Sequence, residues 1–311
     1  MKLSLSFVNI APYRVTVPLW CAMYGSVLTS VFPLNAVLWV YGPTQSGKST
    51  LSMLALAHFG EKFIKNRDYF APKDFMSTIT DLEGAMFTLK DLPLVIDDFA
   101  PQFTGHADSV AMHKKAHAVI RSVGNRSSRG RANADLSERA QRPPRGLVIG
   151  TAELPLIGQS VVGRMIYVPV ERGDVPFNAK EGERDQLGEA QHIAGPGQGV
   201  YAQAMSGYVQ WLAKNWEQEI AICRADQERA NQYARTIFPS TQSRMMDYYA
   251  MLLMYGKAAL RYAVHVGSTT ADYAAELGEE KFPAALTDVL IKQSQRVSGQ
   301  SPVPRLFEAI A

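Results

Sequence analysis

Residues 34–50 read LNAVLWVYGPTQSGKST, and this stretch decides the fold. Its first half, Leu34 to Tyr41, is rich in β-forming residues and predicts a buried strand. Ser49 to His58 reads as a helix. Between them lies a glycine loop that matches a phosphate-binding motif, because its glycines let backbone N–H groups point at phosphates at a helix N-terminus. The predicted phosphate-contacting residues are Gly42, Pro43, Thr44, Gln45, Ser46, Gly47, Lys48, Ser49 and Thr50.

Two side chains of the glycine loop predict which ligand it takes. Lys48 is placed to reach the β and γ phosphates of ATP, and the Ser49 hydroxyl is placed to ligate Mg²⁺. We therefore expect ATP and Mg²⁺ as cofactors, with Lys48 as a catalytic residue. A strand, loop and helix in this order form the setting that the motif needs.

An apolar strand that ends in two acids lies further along the chain. Leu92 to Ile96 predicts a buried strand, and Asp97 and Asp98 follow it, with Asp97 standing 49 residues after Lys48. Such strands supply a carboxylate to a magnesium shell, so we assign that role to Asp97. Asp98 is placed to polarise the attacking water as general base. The alternative is that the two acids cap a turn.

Two later strands each carry a polar residue of interest. Thr151 follows the strand 147–150 and is expected to be a catalytic sensor that orients water or the γ-phosphate, with Glu153 as a neighbour that could help. Arg164 opens the strand that ends at Val170 and is the candidate arginine finger, reaching the nucleotide of an adjacent subunit. The alternatives are an ordinary polar strand end and a surface arginine, and Arg172 is a second candidate for the finger.

Basic residues concentrate in one part of the chain. The net charge is only +3, yet Lys114 to Arg145 contains nine basic and two acidic residues, a local charge of +7. Within it, Arg126, Arg129 and Arg131 lie in a glycine-containing loop suited to nucleic-acid phosphates, so we expect them to bind DNA. A solvated charged face would look similar.

The composition indicates an ordinary globular protein. Of 311 residues, 47% are hydrophobic and 20% are charged, and only two are cysteines. Cys21 and Cys223 stand far apart, so we expect buried thiols and a cytoplasmic protein. Val15 to Tyr41 lacks charge over 27 positions and is long enough to span a bilayer. Because Pro18 and Pro33 interrupt it, we predict a buried helix and strand, with no membrane partner.

The order of elements predicts an α/β fold. Strands alternate with helices expected at 82–90 and 108–123, and a further β-forming run covers 76–80, which indicates a mostly parallel sheet. Asp174 to Gly199 is rich in glycine, proline and charge and predicts a loop. Helical periodicity follows, with helices expected near 243–266 and 282–297. The predicted units are an N-terminal segment and helix (1–33), an ATPase domain (34–175), a linker (176–199) and a C-terminal helical domain (200–311).

Several of these pieces together resemble one family, the helicase-like AAA+ ATPases related to superfamily III that accompany primase-polymerases in phages, plasmids and mobile elements. The pieces are Gly42 to Thr50, Thr80 to Glu83 running into Lys90 to Asp98, Gly124 to Arg131, Gly150 to Glu153, and Gly158 to Arg164. The family usually has Asp-Glu where this chain has Asp97-Asp98. The resemblance implies an AAA+-like P-loop NTPase that acts on single-stranded or forked DNA as a homo-oligomeric ring, with a hexamer favoured and a primase or polymerase as partner.

The sequence leaves three classes of function open. The favoured one is an ATP-hydrolysing motor that translocates on or unwinds DNA during replication of a phage or mobile element. The second is a regulatory or scaffolding P-loop ATPase that never unwinds. The third is a P-loop kinase, which would need a pocket for its acceptor.

Overall fold

The computed structural model describes residues 1–61, 72–128, 140–156, 158–177, 185–195, 197–239 and 242–299. Its strands are β1 (Val37–Tyr41), β2 (Lys73–Asp74), β3 (Pro93–Phe99), β4 (Leu147–Ala152) and β5 (Met165–Pro169). Its helices are α1 (Lys2–Leu5), α2 (Tyr13–Gly25), α3 (Lys48–Leu56), α4 (Ile79–Thr88), α5 (His106–Asn125), α6 (Gln159–Val162), α7 (Gln186–Ala194), α8 (Val200–Lys214), α9 (Trp216–Ile237), α10 (Ser243–His265), α11 (Ala271–Glu276) and α12 (Phe282–Gly299). A π-helical turn, Leu277–Lys281, joins α11 to α12.

The strands form one parallel sheet in the order β2-β3-β4-β1-β5. In its centre Leu38 pairs with Ile149 on one side and Ile166 on the other, and all three side chains are buried. Strands buried on both faces are typical of parallel sheets covered by helices. The expected α/β architecture with a parallel sheet is therefore confirmed. Because the strands are parallel, their carboxyl ends lie along one edge of the sheet, near Tyr41. Their amino ends lie along the opposite edge, near Val37.

The prediction of a β-forming run at 76–80 is wrong. The strand of this region is Lys73–Asp74, and Ile79 already lies in α4. The reason is local, because the Thr78 hydroxyl accepts a hydrogen bond from the Asp81 backbone N–H at 3.2 Å and caps the helix. An N-cap threonine followed three residues later by an acid outweighs the weak β propensity of the run.

The loop expected between Asp174 and Gly199 contains a helix, so that expectation is wrong in part. Helix α7 begins after Asp185, whose carboxylate accepts a hydrogen bond from the Gly188 N–H at 2.7 Å. Leu187 and Ala190 are buried, which gives the helix an apolar face. Glycine and charge in the surrounding segment obscured this short amphipathic pattern.

The uncharged N-terminal stretch folds into a buried helix and then the buried strand β1, which is paired on both sides. Trp20 of α2 packs edge-on against Phe282 of α12, and Tyr24 packs against Tyr208 of α8. Across the part of the chain that the structure describes, none of the helices combines the length and the apolarity that crossing a membrane requires. The domain boundaries remain predictions.

The C-terminal helices are fastened to the amino edge of the sheet by side-chain hydrogen bonds to backbone carbonyls. The Tyr248 hydroxyl of α10 lies 3.1 Å from both Asn35 O and Gly163 O, and it donates to these carbonyls. Gln293 of α12 donates to Val162 O at 2.6 Å. These contacts connect the C-terminal helices α8 to α12, here called the helical layer, to the starts of β1 and β5.

Helix α9 lies in the predicted helical domain but was not predicted individually, because its exposed faces are largely polar. A buried ion network holds it against α10, where Arg261 contacts Glu219 at 2.9 Å and Asp226 at 2.6 Å. Cys223 lies beside the same guanidinium and, like Cys21, is a buried free thiol, as expected. Buried acids paired with Arg261 therefore share the buried face of α9 with apolar residues such as Ile220 and Ala234.

Candidate active site

The glycine loop (residues 42–50) curls tightly between β1 and α3. Gly47 is the N-cap of α3 with φ of 94°, a conformation that favours glycine. A Cβ on Gly42 would lie 1.9 Å from the carbonyl oxygen of Val170, and one on Gly47 would lie 2.7 Å from Val175. Both glycines are therefore required by close packing of the loop on the segment 170–177, which follows β5.

Two polar side chains of the glycine loop, Lys48 and Ser46, are positioned to bind an anion. Lys48 donates from Nζ to Pro43 O at 2.7 Å, and burial lowers the pKa of Lys48 while Glu153 and the acids at the end of β3 oppose that shift. The Ser46 hydroxyl is buried and has no hydrogen-bond partner among the described residues. A buried unpartnered donor beside a helix N-terminus fits phosphate oxygens.

The Asp97 side chain of β3 connects α3 and β4 at the carboxyl edge of the sheet. Its carboxylate accepts a hydrogen bond from the Ser49 hydroxyl of α3 at 2.8 Å and another from the Thr151 hydroxyl of β4. The same Thr151 oxygen accepts the backbone N–H of Asp98 at 3.0 Å. The structure therefore brings together Ser49, Asp97, Asp98 and Thr151, which sequence analysis selected from three separate segments.

Asp98 has an unusual backbone conformation next to this cluster. Its φ is 62°, and the pairing of β3 with β4 shifts register between Ile96 and Phe99. Aspartate tolerates the left-handed region better than most residues. Burial raises the pKa of the Asp98 carboxyl, with Asp97 and Glu153 adding to the shift and Lys48 opposing it. A carboxylate with raised proton affinity, turned out of the strand ladder, is suited to accept a proton.

Glu153 has a larger structural role than its sequence position indicated. It accepts hydrogen bonds from the Thr44 hydroxyl of the glycine loop at 2.6 Å and from Gln102 Nε2 at 2.5 Å. Its own N–H donates to Phe99 O at 3.1 Å. The carboxylate thus connects the loop to the segment after β3. Sequence reasoning missed Gln102, because no local motif marks a glutamine that acts through a distant loop.

Two cavities flank the first turn of α3. One, of about 480 Å³, is lined by the glycine loop and by Phe177, whose side chain is 49% exposed. The other, of about 750 Å³, is lined by Ser49, Asp97 and Asp98, by Asp74 of β2, and by residues of α7. No sequence pattern indicated Phe177, since a lone aromatic residue in a loop has no periodicity.

The side-chain oxygens of Ser49 and Asp97 suit a hard cation that takes few ligands from the protein. Within the described ranges, no group of three or more His, Cys, Asp or Glu side chains is arranged to hold a metal. Ser49 and Asp97 supply two oxygens of the kind that Mg²⁺ takes, and Mg²⁺ commonly completes its shell with water and substrate phosphates. The residues present fit such a site.

Arg164 lies at the opposite edge of the sheet from the glycine loop of its own chain. Its carbonyl accepts the N–H of Val37 at the start of β1, while Gly42 follows the end of that strand. A five-residue strand separates the two edges by about 16 Å. The Arg164 side chain donates to Asn125 Oδ1 at 3.1 Å and Ser160 Oγ at 3.0 Å. Arg172, by contrast, is exposed in the segment 170–177 beside its own glycine loop.

The three arginines assigned to DNA are only partly placed by the structure. Arg126 caps the end of α5 with φ of 47° and is half-buried, with Nη1 3.5 Å from Thr29 O. The hydrogen bond to Thr29 O turns the guanidinium toward the protein, and burial lowers the pKa of Arg126. Arg129 and Arg131 lie outside the described residues. Their contact with DNA stays a prediction.

Comparison with solved structures finds a similar fold in a chain described as "SCCmec type IV Cch - active helicase", with a TM-score of 0.58 at 14% sequence identity. The likeness covers 90% of this chain and 51% of that chain, so this chain spans about half the length of the helicase. No protein-family model and no curated protein match the sequence. At this identity the likeness establishes a shared fold.

Proposed function

We propose that this chain is an Mg²⁺-dependent ATPase that uses hydrolysis to move on or unwind DNA. The observation that carries the proposal is the meeting of Ser49, Asp97 and Thr151 at the N-terminus of α3, beside Lys48 and the buried Ser46 hydroxyl. A helix N-terminus, a lysine and a carboxylate with a hydroxyl ligand form the combination that binds a nucleoside triphosphate with its metal.

Each residue of the cluster has a distinct role in this proposal. Backbone N–H groups of 42–50 bind the phosphates, and the Lys48 amine, which is held in position by Pro43 O, pairs with the outer two. The carboxylate of Asp98 accepts a proton from the attacking water, which its raised pKa favours. Thr151 holds Asp97 and the Asp98 backbone in register. Phe177 lines the cavity that would receive the adenine ring.

Ser49 and Asp97 would hold the magnesium ion. Bound there, Mg²⁺ supplies positive charge to the phosphate oxygens. In the structure these two side chains bond to each other at 2.8 Å, so both oxygens already face the same point.

Two observations support a ring of subunits that acts on DNA over an ATPase that works as a single subunit. The fold is shared with a chain described as an active helicase. Arg164 lies about a strand length from its own glycine loop, so its proposed role as a finger requires the nucleotide of a second copy. Copies arranged head to tail form a closed ring when the rotation closes, and a hexamer is the proposed state. The segment from Lys114 to Arg145 would grip DNA phosphates.

The proposal is tested by measuring ATP hydrolysis with and without single-stranded DNA at two salt concentrations. We expect DNA to stimulate hydrolysis, and the stimulation to weaken at the higher salt, because phosphate contacts release counterions. Lys48→Ala should abolish hydrolysis without unfolding the protein, whereas Lys214→Ala, an exposed lysine at the end of α8, should leave the rate unchanged. Equal rates for Lys48→Ala and wild type would overturn the assignment.

The larger cavity favours one other candidate, a kinase that transfers phosphate to a small molecule. Its volume of about 750 Å³ beside Asp97 and Asp98 is enough for an acceptor. The two functions differ in product, because hydrolysis releases one inorganic phosphate per ADP formed. ADP formation without matching phosphate release, and only with an added metabolite extract, would favour the kinase. A regulatory ATPase would instead hydrolyse ATP at a rate indifferent to DNA.

A further inference from the structure

Arg164 is not alone at the amino edge of the sheet. The Tyr248 hydroxyl bonds to Gly163 O, the residue before Arg164, and so fixes the first turns of α10 against this segment. Arg244 lies four residues before Tyr248, on the same face of the helix. Arg244 is exposed, and its charge acts on Arg164.

A third arginine comes from α5. The Arg164 side chain lies over Gly124, where a Cβ would be 2.5 Å from Arg164 Cδ, and it also bonds to Asn125. Arg121 is three residues before Gly124, one helical turn away, and its charge also acts on Arg164. Three separate elements, α5, β5 and α10, therefore each bring an arginine to one place, the arginine cluster (Arg121, Arg164 and Arg244).

No acid neutralises the arginine cluster among the residues that the structure describes. Within the described part of the chain, the Arg164 side chain donates to neutral oxygens of Asn125 and Ser160 and to no carboxylate. Burial and the two neighbouring arginines lower the pKa of Arg164. Asp247 follows Arg244 on α10, but within the described ranges it forms no ion pair with Arg121, Arg164 or Arg244, and burial raises the pKa of its carboxyl. Like charges gathered without a counter-charge destabilise the free protein and favour binding of an anion.

We propose that Arg121, Arg164 and Arg244 form one site for the triphosphate of the nucleotide held by a second copy of this chain. This rests on the proposed ATPase function and extends it, because Arg121 and especially Arg244 join the candidate finger. Arg244 belongs to the helical layer, so that layer contacts the neighbouring nucleotide directly.

Charge complementarity selects the second copy as partner. The carboxyl edge carries Asp74, Asp97, Asp98 and Glu153 around the glycine loop, and the amino edge carries the arginine cluster. Head-to-tail packing brings these two edges together. Three arginines brought to one end of the sheet suit a compact polyanion, whereas a DNA strand spreads its phosphates along a line.

The test compares Arg244→Ala and Arg121→Ala with Arg224→Ala, an exposed arginine of α9. Fluorescent ATP binding should stay within about twofold of wild type in all three, because the glycine loop is intact. Hydrolysis should fall at least about tenfold for Arg244→Ala and Arg121→Ala and stay unchanged for Arg224→Ala. Arg244→Lys, which keeps the charge, should recover part of the rate.

Mixing separates a role in a shared site from a structural one. Arg244→Ala combined in equal amounts with Lys48→Ala should regain activity, because about one quarter of head-to-tail contacts then join an intact loop to an intact arginine cluster. Equal hydrolysis by Arg244→Ala and Arg224→Ala, or a loss that mixing never restores, would overturn the inference. Unchanged DNA-free hydrolysis with weakened binding of single-stranded DNA would assign the cluster to nucleic acid instead. If wild type itself fails to hydrolyse ATP, the proposed function fails first.

Discussion

Thr151→Val is the substitution that tests most directly how the site is held together. The side chain is 1% exposed, and its hydroxyl donates to Asp97 and accepts the backbone N–H of Asp98. Valine keeps the shape and removes both hydrogen bonds. Loss of a bond to a charged group and of a second bond to a backbone N–H should cost about 2–4 kcal/mol of unfolding free energy. For a chain of 311 residues this lowers Tm by roughly 3–6 °C.

The measurement is a pair of thermal unfolding and ATP hydrolysis experiments. Thr236→Val is the matched control, because this threonine on α9 is exposed and donates to Tyr233 O. Loss of that hydrogen bond should change stability by less than about 0.5 kcal/mol. Hydrolysis should fall at least about tenfold for Thr151→Val alone, since Asp97 and Asp98 lose their common support. A Thr151→Val protein with wild-type Tm and wild-type hydrolysis would refute the proposed site.

Asp98→Asn should lower hydrolysis about 10²- to 10⁴-fold. Burial and nearby carboxylates raise the pKa of Asp98, so the folded wild type loses stability as the pH rises above about 3.9. Asp98→Asn removes this ionisation, and the variant should therefore have a higher Tm than wild type at about pH 7. The difference in Tm should vanish near about pH 3, where Asp98 is protonated in both the folded and the unfolded state. Gly42→Ala, with a Cβ 1.9 Å from Val170 O, should lower Tm and ATP binding, whereas Gly84→Ala, with open space in α4, should raise stability by up to about 1 kcal/mol. Phe177→Ala should weaken ATP binding by about 5- to 100-fold while leaving Tm unchanged, as titration with a fluorescent nucleotide would detect.

The parts of the fold that sequence predicted are those with local causes. The strand before Gly42, the strand before Asp97 and the strand before Thr151 are each continuous apolar runs, because parallel strands are buried on both faces. Their polar ends could be assigned to one site since parallel strands share an edge. Sequence therefore placed Ser49, Asp97 and Thr151 together before any distance was known.

The parts that sequence missed depend on contacts between distant residues. Glu153 was considered only as a neighbour of Thr151, yet it bonds to Thr44, which lies 109 positions away. Helix α9 is held by Arg261 through two buried carboxylates, and the sequence of α9 does not show which distant arginine pairs with them.

The arginine cluster shows most clearly why such contacts escape a sequence. Nothing in the sequence around Arg244 distinguishes it from other exposed arginines at the start of a helix. Its place beside Arg164 follows from Tyr248, whose hydroxyl reaches Gly163 O across 85 positions. A tyrosine that anchors a helix to a strand end is thus the link between the helical layer and the edge of the sheet. Tyr248→Phe should therefore reduce hydrolysis through Arg244 even though Tyr248 itself touches no nucleotide, and a normal rate in that variant would show that α10 is held against β5 by other contacts.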